Sequence, residues 1–521
     1  MKRLLTSGLS LLLSAQFIQA QTTPTYNDNV ACILYTNCTP CHHDGGIGPF
    51  ALMTYDDATS AGFGIVGAVN AGNMPPWPPD PDYNRLAHER VLTQEEIDIL
   101  NAWVNGGMPE GGGTPPMAPV YGGNEVITNP DLTLTMQPFT NFENNHDLYQ
   151  CFVIPTGLNE DMFVSGFEVV PGNGEMVHHV LVFSDTSDLP LQLDAQDPNP
   201  GYTGFGGTGS SSSKLIGIWV PGEQPYFFPQ NMGTKLLAGS NIIFQMHYPA
   251  GTGGQVDQTK INFDLFQGAW NTREVFFTAP LNFGTSLTDG PLVILPNQIR
   301  DFHNQFTIPN VDLTVLAVGP HMHLIGTSIK SWAVTPQSQT IPFFDIPEWD
   351  FHYQGFYQFR QPLRIPANST LYGVATYDNT NNNPNNPNDP PQLVTAGEAT
   401  TDEMFLIYFA YTYYLPGDEN IVVDTSTVKP TYNDCVFNVL GIEDRYLNEF
   451  AAYPNPTTGS LTLNLNGIRP STIRLDDLQG RTVRFFDPTE TVLDLQDVIA
   501  GIYLISIETE NGVSTRRISI Q

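Results

Sequence analysis

The sequence predicts a mainly β protein, with a small helical module in front of the β region and a small β module behind it. Gly (46) and Pro (43) are abundant while only 14% of residues are charged, which suits a turn-rich extracellular β chain better than a cytosolic helical enzyme. From about 130 to 440, β-branched or aromatic runs such as Val177 to Phe183, Asn241 to His247, Val311 to Val318 and Met404 to Tyr414 alternate with Gly, Pro, Asn and Asp clusters. That stretch is too long for one antiparallel sandwich, so two are expected. Before residue 110 the apolar spacing is helical instead. A length of 521 residues fits this division at ~150 residues per domain. A 40% hydrophobic and 11% aromatic content excludes a disordered chain.

Taken in order, Lys2 and Arg3 precede the apolar run Leu4 to Leu13 and then small residues, the pattern of a secretory signal peptide over 1–20. An N-terminal anchor helix is the other reading, but the run is short for a bilayer, and no later segment has the ~18 apolar residues of a transmembrane span. Residues 22–110 form the helical module. Thr93-Gln94-Glu95-Glu96 followed by Ile97, Leu100, Trp103 and Val104 reads as a capping box opening an amphipathic helix, which Gly106-Gly107 ends. A Gly/Pro linker occupies 111–130. Asn379 to Pro391 is an Asn/Pro-rich solvated loop, and a last β module runs from 449 to 521.

Charge excludes some partners. With 53 acidic and 20 basic residues the formal charge is −33, which speaks against binding nucleic acid or docking on anionic lipid. It leans weakly toward a small neutral or cationic substrate. The five cysteines are Cys32, Cys38, Cys41, Cys151 and Cys435. Export permits disulfides. With Cys38 and Cys41 set aside as a motif, Cys151 and Cys435 are a possible pair and Cys32 is odd; spacing alone does not prove the pairing.

Cys38-Thr39-Pro40-Cys41-His42 has the spacing of covalent haem c attachment. A redox dithiol or half of a zinc site compete with it. The adjacent His, the export signal and the lack of a second Cys pair favour haem, with His42 on the iron. Met74, before Pro75-Pro76, is the first choice for the distal ligand, with Met108 and His88 as alternatives. This region resembles a small class of monohaem cytochrome c domains over about 80 residues.

The β region or its approach holds His146, His178, His179, His247, His303, His321, His323 and His352. His321 and His323 are two apart, so on a strand both face one side and can share a metal. His178 and His179 are adjacent and can share one only at a bulge or strand end. His247 ends an apolar strand, and Met404 precedes another. Imidazole suits copper or zinc, and a thioether selects Cu(I).

In order, the chain carries Val177-His178-His179-Val180, Gln245-Met246-His247-Tyr248, Pro320-His321-Met322-His323-Leu324 and Thr401-Asp402-Glu403-Met404. This series resembles the type II copper, ascorbate-dependent monooxygenases, the family of the peptidylglycine α-hydroxylating and dopamine β-monooxygenases, over about 300 residues. The resemblance implies two jelly-roll-like sandwiches, at 131–283 and 284–440, separated by a solvent-filled cleft. It implies two copper ions: His178, His179 and His247 hold the electron-storing copper, and His321, His323 and Met404 hold the one where O2 and substrate meet. Gln245 and Tyr408 match further family positions, and Cys151 resembles the first core disulfide cysteine, which supports a bridge to Cys435. The Arg and Asn that hold a peptide carboxylate in the amidating members are replaced by Gly319 and Leu406, so peptide amidation is not carried over.

The last module resembles the type IX secretion sorting domain, on Tyr453-Pro454-Asn455-Pro456, Gly459, Gly501-Ile502-Tyr503 and Arg516-Arg517. The chain is then expected at the cell surface or outside the cell, with the type IX machinery as a partner. Together these readings describe an exported copper monooxygenase hydroxylating an unknown small substrate. Ascorbate or another one-electron donor serves it, and the haem is expected to feed the His178/His179/His247 copper. A non-enzymatic haem/copper electron carrier or copper-binding surface protein is the alternative.

Overall fold

The computed structural model describes residues 23–520 apart from 47, 120–124, 128, 205–206, 222, 224, 352, 424–450, 454–456, 466–469, 477–481, 500 and 510–511. The expected signal peptide, His352 and Cys435 lie outside the described residues.

The chain is mainly β, as expected, with antiparallel sheets behind a helical module. The module consists of a π turn at Tyr26–Val30, α1 at Ala31–Asn37, α2 at Tyr55–Asn70 and α3 at Gln94–Asn105. Helix α3 opens on the expected capping box, Thr93 with Glu96, and α2 opens on a second one, Thr54 with Asp57. Each box satisfies amide donors that the first helical turn leaves unpaired. Tyr26, Leu34, Leu100 and Trp103 fill the core between the helices.

Behind the linker, a six-stranded and a five-stranded sheet share one apolar core. Strand Asn241–Tyr248 is buried throughout and lies between strands Leu148–Pro155 and His179–Asp185. Two four-stranded sheets follow with a second core. There Leu313–His321 is nearly all buried, between Tyr357–Ile365 and Leu406–Tyr413. In contrast, Thr370–Asn379 alternates buried and half-buried residues along its whole length, as a strand with one face on the core does.

The two β regions are joined. Leu316, Ala317, Phe356 and Ala410 of the second belong to the core of the first. Arg273 forms a bidentate pair with Asp418 across the junction, at 2.7 Å for each nitrogen. The helical module also sends a strap, residues 77–90, onto the second β region. Leu86 inserts into that core and bridges Phe359, Ala87 N–H donates to Gln358 O at 2.9 Å, and Arg360 binds Leu86 O and Glu89.

The cysteine expectations are overturned: Cys32, read as odd, is disulfide-bonded. Cys151 is a free, buried thiol rather than half of a bridge to Cys435. Its Sγ lies 3.9 Å from Gly207 O and so close to Gly204 that a Cβ there would collide with it. Burial pushes its pKa up to about 12, which leaves it unreactive.

Candidate metal centre

The strand ends bring the histidines together. Strand His179–Asp185 begins at His179, so His178 lies just outside it and its ring is free of the strand's alternation. Its N–H donates to His247 O at 3.0 Å, which ties the strand start to the end of Asn241–Tyr248. The side chains of His178, His179 and His247 gather within 4.8 Å. The Nδ1 atoms of His178 and His247 each lie 3.3 Å from His179 Nδ1. Tyr149 stacks flat on His247 at 4.4 Å, and Asp147 Oδ2 is 3.7 Å from His247 Nε2. Burial and the neighbouring imidazoles push the His179 pKa well below the usual range, so its ring is neutral near pH 7. Three imidazoles gathered at one point, with Asp147 beside the far nitrogen of His247, fit a copper or zinc ion.

The second set sits just past strand Leu313–His321. His321 is its last residue, Met322 turns into the core, and His323 follows on the same side as His321. Their rings are 5.1 Å apart and nearly perpendicular. His321 Nδ1 meets Gln354 Oε1, and His323 Nδ1 lies 3.2 Å from Asp402 O. Each contact orients the tautomer with Nδ1–H as donor and leaves Nε2 available to a metal. Burial lowers His321 to about 4 and His323 to about 3. Met404 is buried on the neighbouring loop, and Tyr377 holds its carbonyl at 2.7 Å.

Glu403 is the main residue that motif reading missed. Its buried carboxylate accepts the backbone N–H groups of His323, Ile325 and Met404 at 2.9, 2.9 and 3.1 Å. It therefore fastens the two halves of the second set to one point, although burial lifts its pKa to about 8. Gln354 was missed as well.

The two sets are not separated by the expected open cleft. His179 and His321 have ring centroids 6.2 Å apart, and Phe351 stacks on His178 at 4.7 Å while lying 6.2 Å from the His323 ring. The remaining predicted residues fall at varied distances from this centre. Gln245 donates its amide to Gly204 O and Gly207 O, and so holds a loop. Tyr408 is half-buried at the junction, its pKa raised to about 12 by burial and Glu398. A Cβ on Gly319 would lie 2.5 Å from the Phe356 ring, so Phe356 fills the space that a longer side chain would take. His146 and His303 lie on Glu143 and Asp289, outside both sets.

In the helical module, Cys38 and Cys41 share one turn and neither is in a disulfide, with His42 N–H donating to Cys38 O at 2.9 Å. His42 Nδ1 is 2.9 Å from Phe50 O, which directs Nε2 away from the backbone. Gly48 passes so close to that ring that a Cβ would collide with it. Two thiols and an oriented imidazole on one turn fit covalent haem c. Of the distal candidates, Met108 packs its sulfur against Gly62 of α2, whereas Met74 and His88 are exposed.

Residues 300–435 match the family model of the copper type II ascorbate-dependent monooxygenase, C-terminal domain. That segment carries His321, His323, Met404, Glu403 and Gln354. His178, His179 and His247 lie before it. Residues 451–521 match the secretion system C-terminal sorting domain, which marks the chain for type IX export to the cell surface or beyond. Among the described residues no helix is long and apolar enough to cross a membrane. No curated protein matches the chain. Among solved structures, the infectious bursal disease virus VP2 subviral particle is 8% identical over 58% of this chain and 86% of that one, with a TM-score of 0.12. T=1 particles derived from the same virus give 8%, 58%, 83% and 0.13. Scores that low carry no argument.

Proposed function

We propose that the protein is an exported copper monooxygenase that hydroxylates an activated C–H bond of a small substrate. The carrying observation is the pairing of two preformed imidazole sets, one of them inside the copper-monooxygenase match. In this reading His178, His179 and His247 would hold one copper, and His321, His323 and Met404 would hold the other. Bound copper would supply one-electron redox chemistry toward O2: R–H, O2, two electrons and two protons become R–OH and water. Ascorbate or another one-electron donor provides the electrons.

The chain's own groups set the conditions. Gln354 and the Asp402 carbonyl fix the imidazole tautomers, Glu403 fixes the loop, and Phe351 and Tyr149 cover ring faces and keep water away. Gly319 and Leu406 provide no charged donor, so a substrate carboxylate has no clamp there. Cys38, Cys41 and His42 would hold a haem c, with Met74 as the candidate further ligand, and the haem would supply one-electron transfer.

The test is copper per chain by elemental analysis after reconstitution and desalting. Two coppers, falling to one in either Met404→Ala or His247→Ala, support the reading. Zero copper overturns it, and one copper in the native chain leaves a copper-binding protein instead.

A further inference from the structure

The loop at 396–403 is held from both β regions. It closes on itself: Gly397 N–H donates to Glu403 O at 3.1 Å, Glu403 N–H to Thr395 O at 3.0 Å and Asp402 N–H to Ala399 O at 2.8 Å. Its base serves the second histidine set. It leads into Met404, carries Glu403 and places Asp402 O 3.2 Å from His323 Nδ1. Its tip meets the first β region instead. Tyr149 donates its hydroxyl to Glu398 O at 3.1 Å, and Thr400 donates its hydroxyl to Asp147 Oδ2.

The same two residues flank His247. Tyr149 is its register partner on strand Leu148–Pro155, and the two rings stack 4.4 Å apart at an interplanar angle of 6°. Asp147 stands one residue before that strand, and Ala250 N–H donates to its Oδ1 at 3.0 Å. Asp147 Oδ2, the oxygen that accepts the Thr400 hydroxyl, is also the one 3.7 Å from His247 Nε2. That nitrogen is buried without a hydrogen-bond partner, which costs free energy, and the Asp147 carboxylate faces it.

Resting on the copper reading above, we propose that Asp147 and Tyr149 are positioning residues shared by both histidine sets. Tyr149 seats His247 with its ring face and holds the Met404 loop with its hydroxyl. Asp147 does both with Oδ2. The two residues act on the second set through the loop, so that set depends on side chains of the first β region. The first set does not depend on the loop in return. Losing the Thr400 hydroxyl should therefore be felt at the second set alone, and losing Asp147 at both.

The experiment uses the full chain with two readouts. Hydrogen exchange at the amides of residues 397–404 is measured without metal. The affinity of each set for Cu(I) is measured by competitive chelator titration, the second set being the one that Met404→Ala removes. Thr400→Val, and Tyr149→Phe, which keeps the stacked ring, should speed exchange in the loop several-fold. They should weaken the second copper roughly 10-fold and leave the first within about twofold. Asp147→Ala should weaken both, and adding Thr400→Val to it should weaken the second less than about twofold further, because the contact is already lost. Unchanged exchange and unchanged second-copper affinity in both Thr400→Val and Tyr149→Phe overturn the proposal, since the two residues then serve His247 alone. Equal weakening of both coppers by Thr400→Val overturns it in favour of a general loosening of the junction. An unchanged first copper in Asp147→Ala overturns the shared role. If Asp147→Ala does not fold, Thr400→Val and Tyr149→Phe decide the question. A native chain that binds no copper refutes the underlying reading, and the metal-free exchange still shows whether the two residues hold the loop.

Discussion

The two histidine sets differ in what holds them. His178, His179 and His247 are placed by backbone pairing: two neighbouring strands end in register, and three Nδ1 atoms converge as a consequence. His321, His323 and Met404 come from a strand end and a separate loop. Side chains hold them there: Glu403 gathers the amides, and Gln354 meets His321. The first set should therefore be as durable as its sheet. The second should be lost whenever one of those side chains is lost.

Glu403→Ala gives the largest expected effect. Three buried backbone N–H groups lose their acceptor, at roughly 1–3 kcal/mol each, so a total of about 4 kcal/mol is expected in chemical denaturation. Copper should fall from two per chain to one, with the first set still loaded. Loss of both coppers in a chain that still folds would break the contrast between the sets. Gly319→Ala comes next. Its Cβ meets the Phe356 ring, and overpacking costs roughly 1–3 kcal/mol. Thermal denaturation measures that cost, and a stability equal to the native chain's would show that Phe356 moves aside freely.

Gln354→Leu should be gentler on stability and selective in effect. Losing the group that orients a ligating imidazole lowers metal affinity by roughly 10–100-fold. Competitive chelator titration should show one weakened copper and one unchanged. Equal weakening at both would mean that Phe351, which Gln354 also contacts, supports the first set more than its ring stack implies.

What the sequence made legible follows the same division. His321, His323 and Met404 stood out as candidates because two-residue spacing and short motifs are local, and the His321 and His323 rings do lie together. The need for a strand end at His178 was readable from alternation alone, and the strand does begin at His179. Glu403 stood inside a motif already singled out, yet nothing local marks a carboxylate as buried beneath three amides. Gln354 is 33 residues from His321 on an irregular loop, and no periodicity points to it. The Cys151 pairing failed for a related reason: counting cysteines cannot reveal that the sulfur is buried against Gly204. The strap was invisible because Leu86 enters the second core from outside any helix or strand pattern.

The smallest expected effect concerns the joint that keeps the two sets face to face. Asp418 is buried, which raises its pKa. Arg273, the Leu415 N–H and the Thr314 hydroxyl outweigh that and hold it below the usual carboxylate value. A depressed folded-state pKa adds stability above the unfolded value of about 3.9, and that stability is lost as pH falls through the folded pKa. In metal-free protein, Asp418→Asn should therefore cost about 1.5 kcal/mol at pH 7, the low end for hydrogen bonds to charged groups. The gap to the native chain should close as pH drops below 4. A gap that persists at low pH would assign the cost to packing rather than charge. The joint would then hold the two β regions by shape, and the short distance between the sets would not depend on this ion pair.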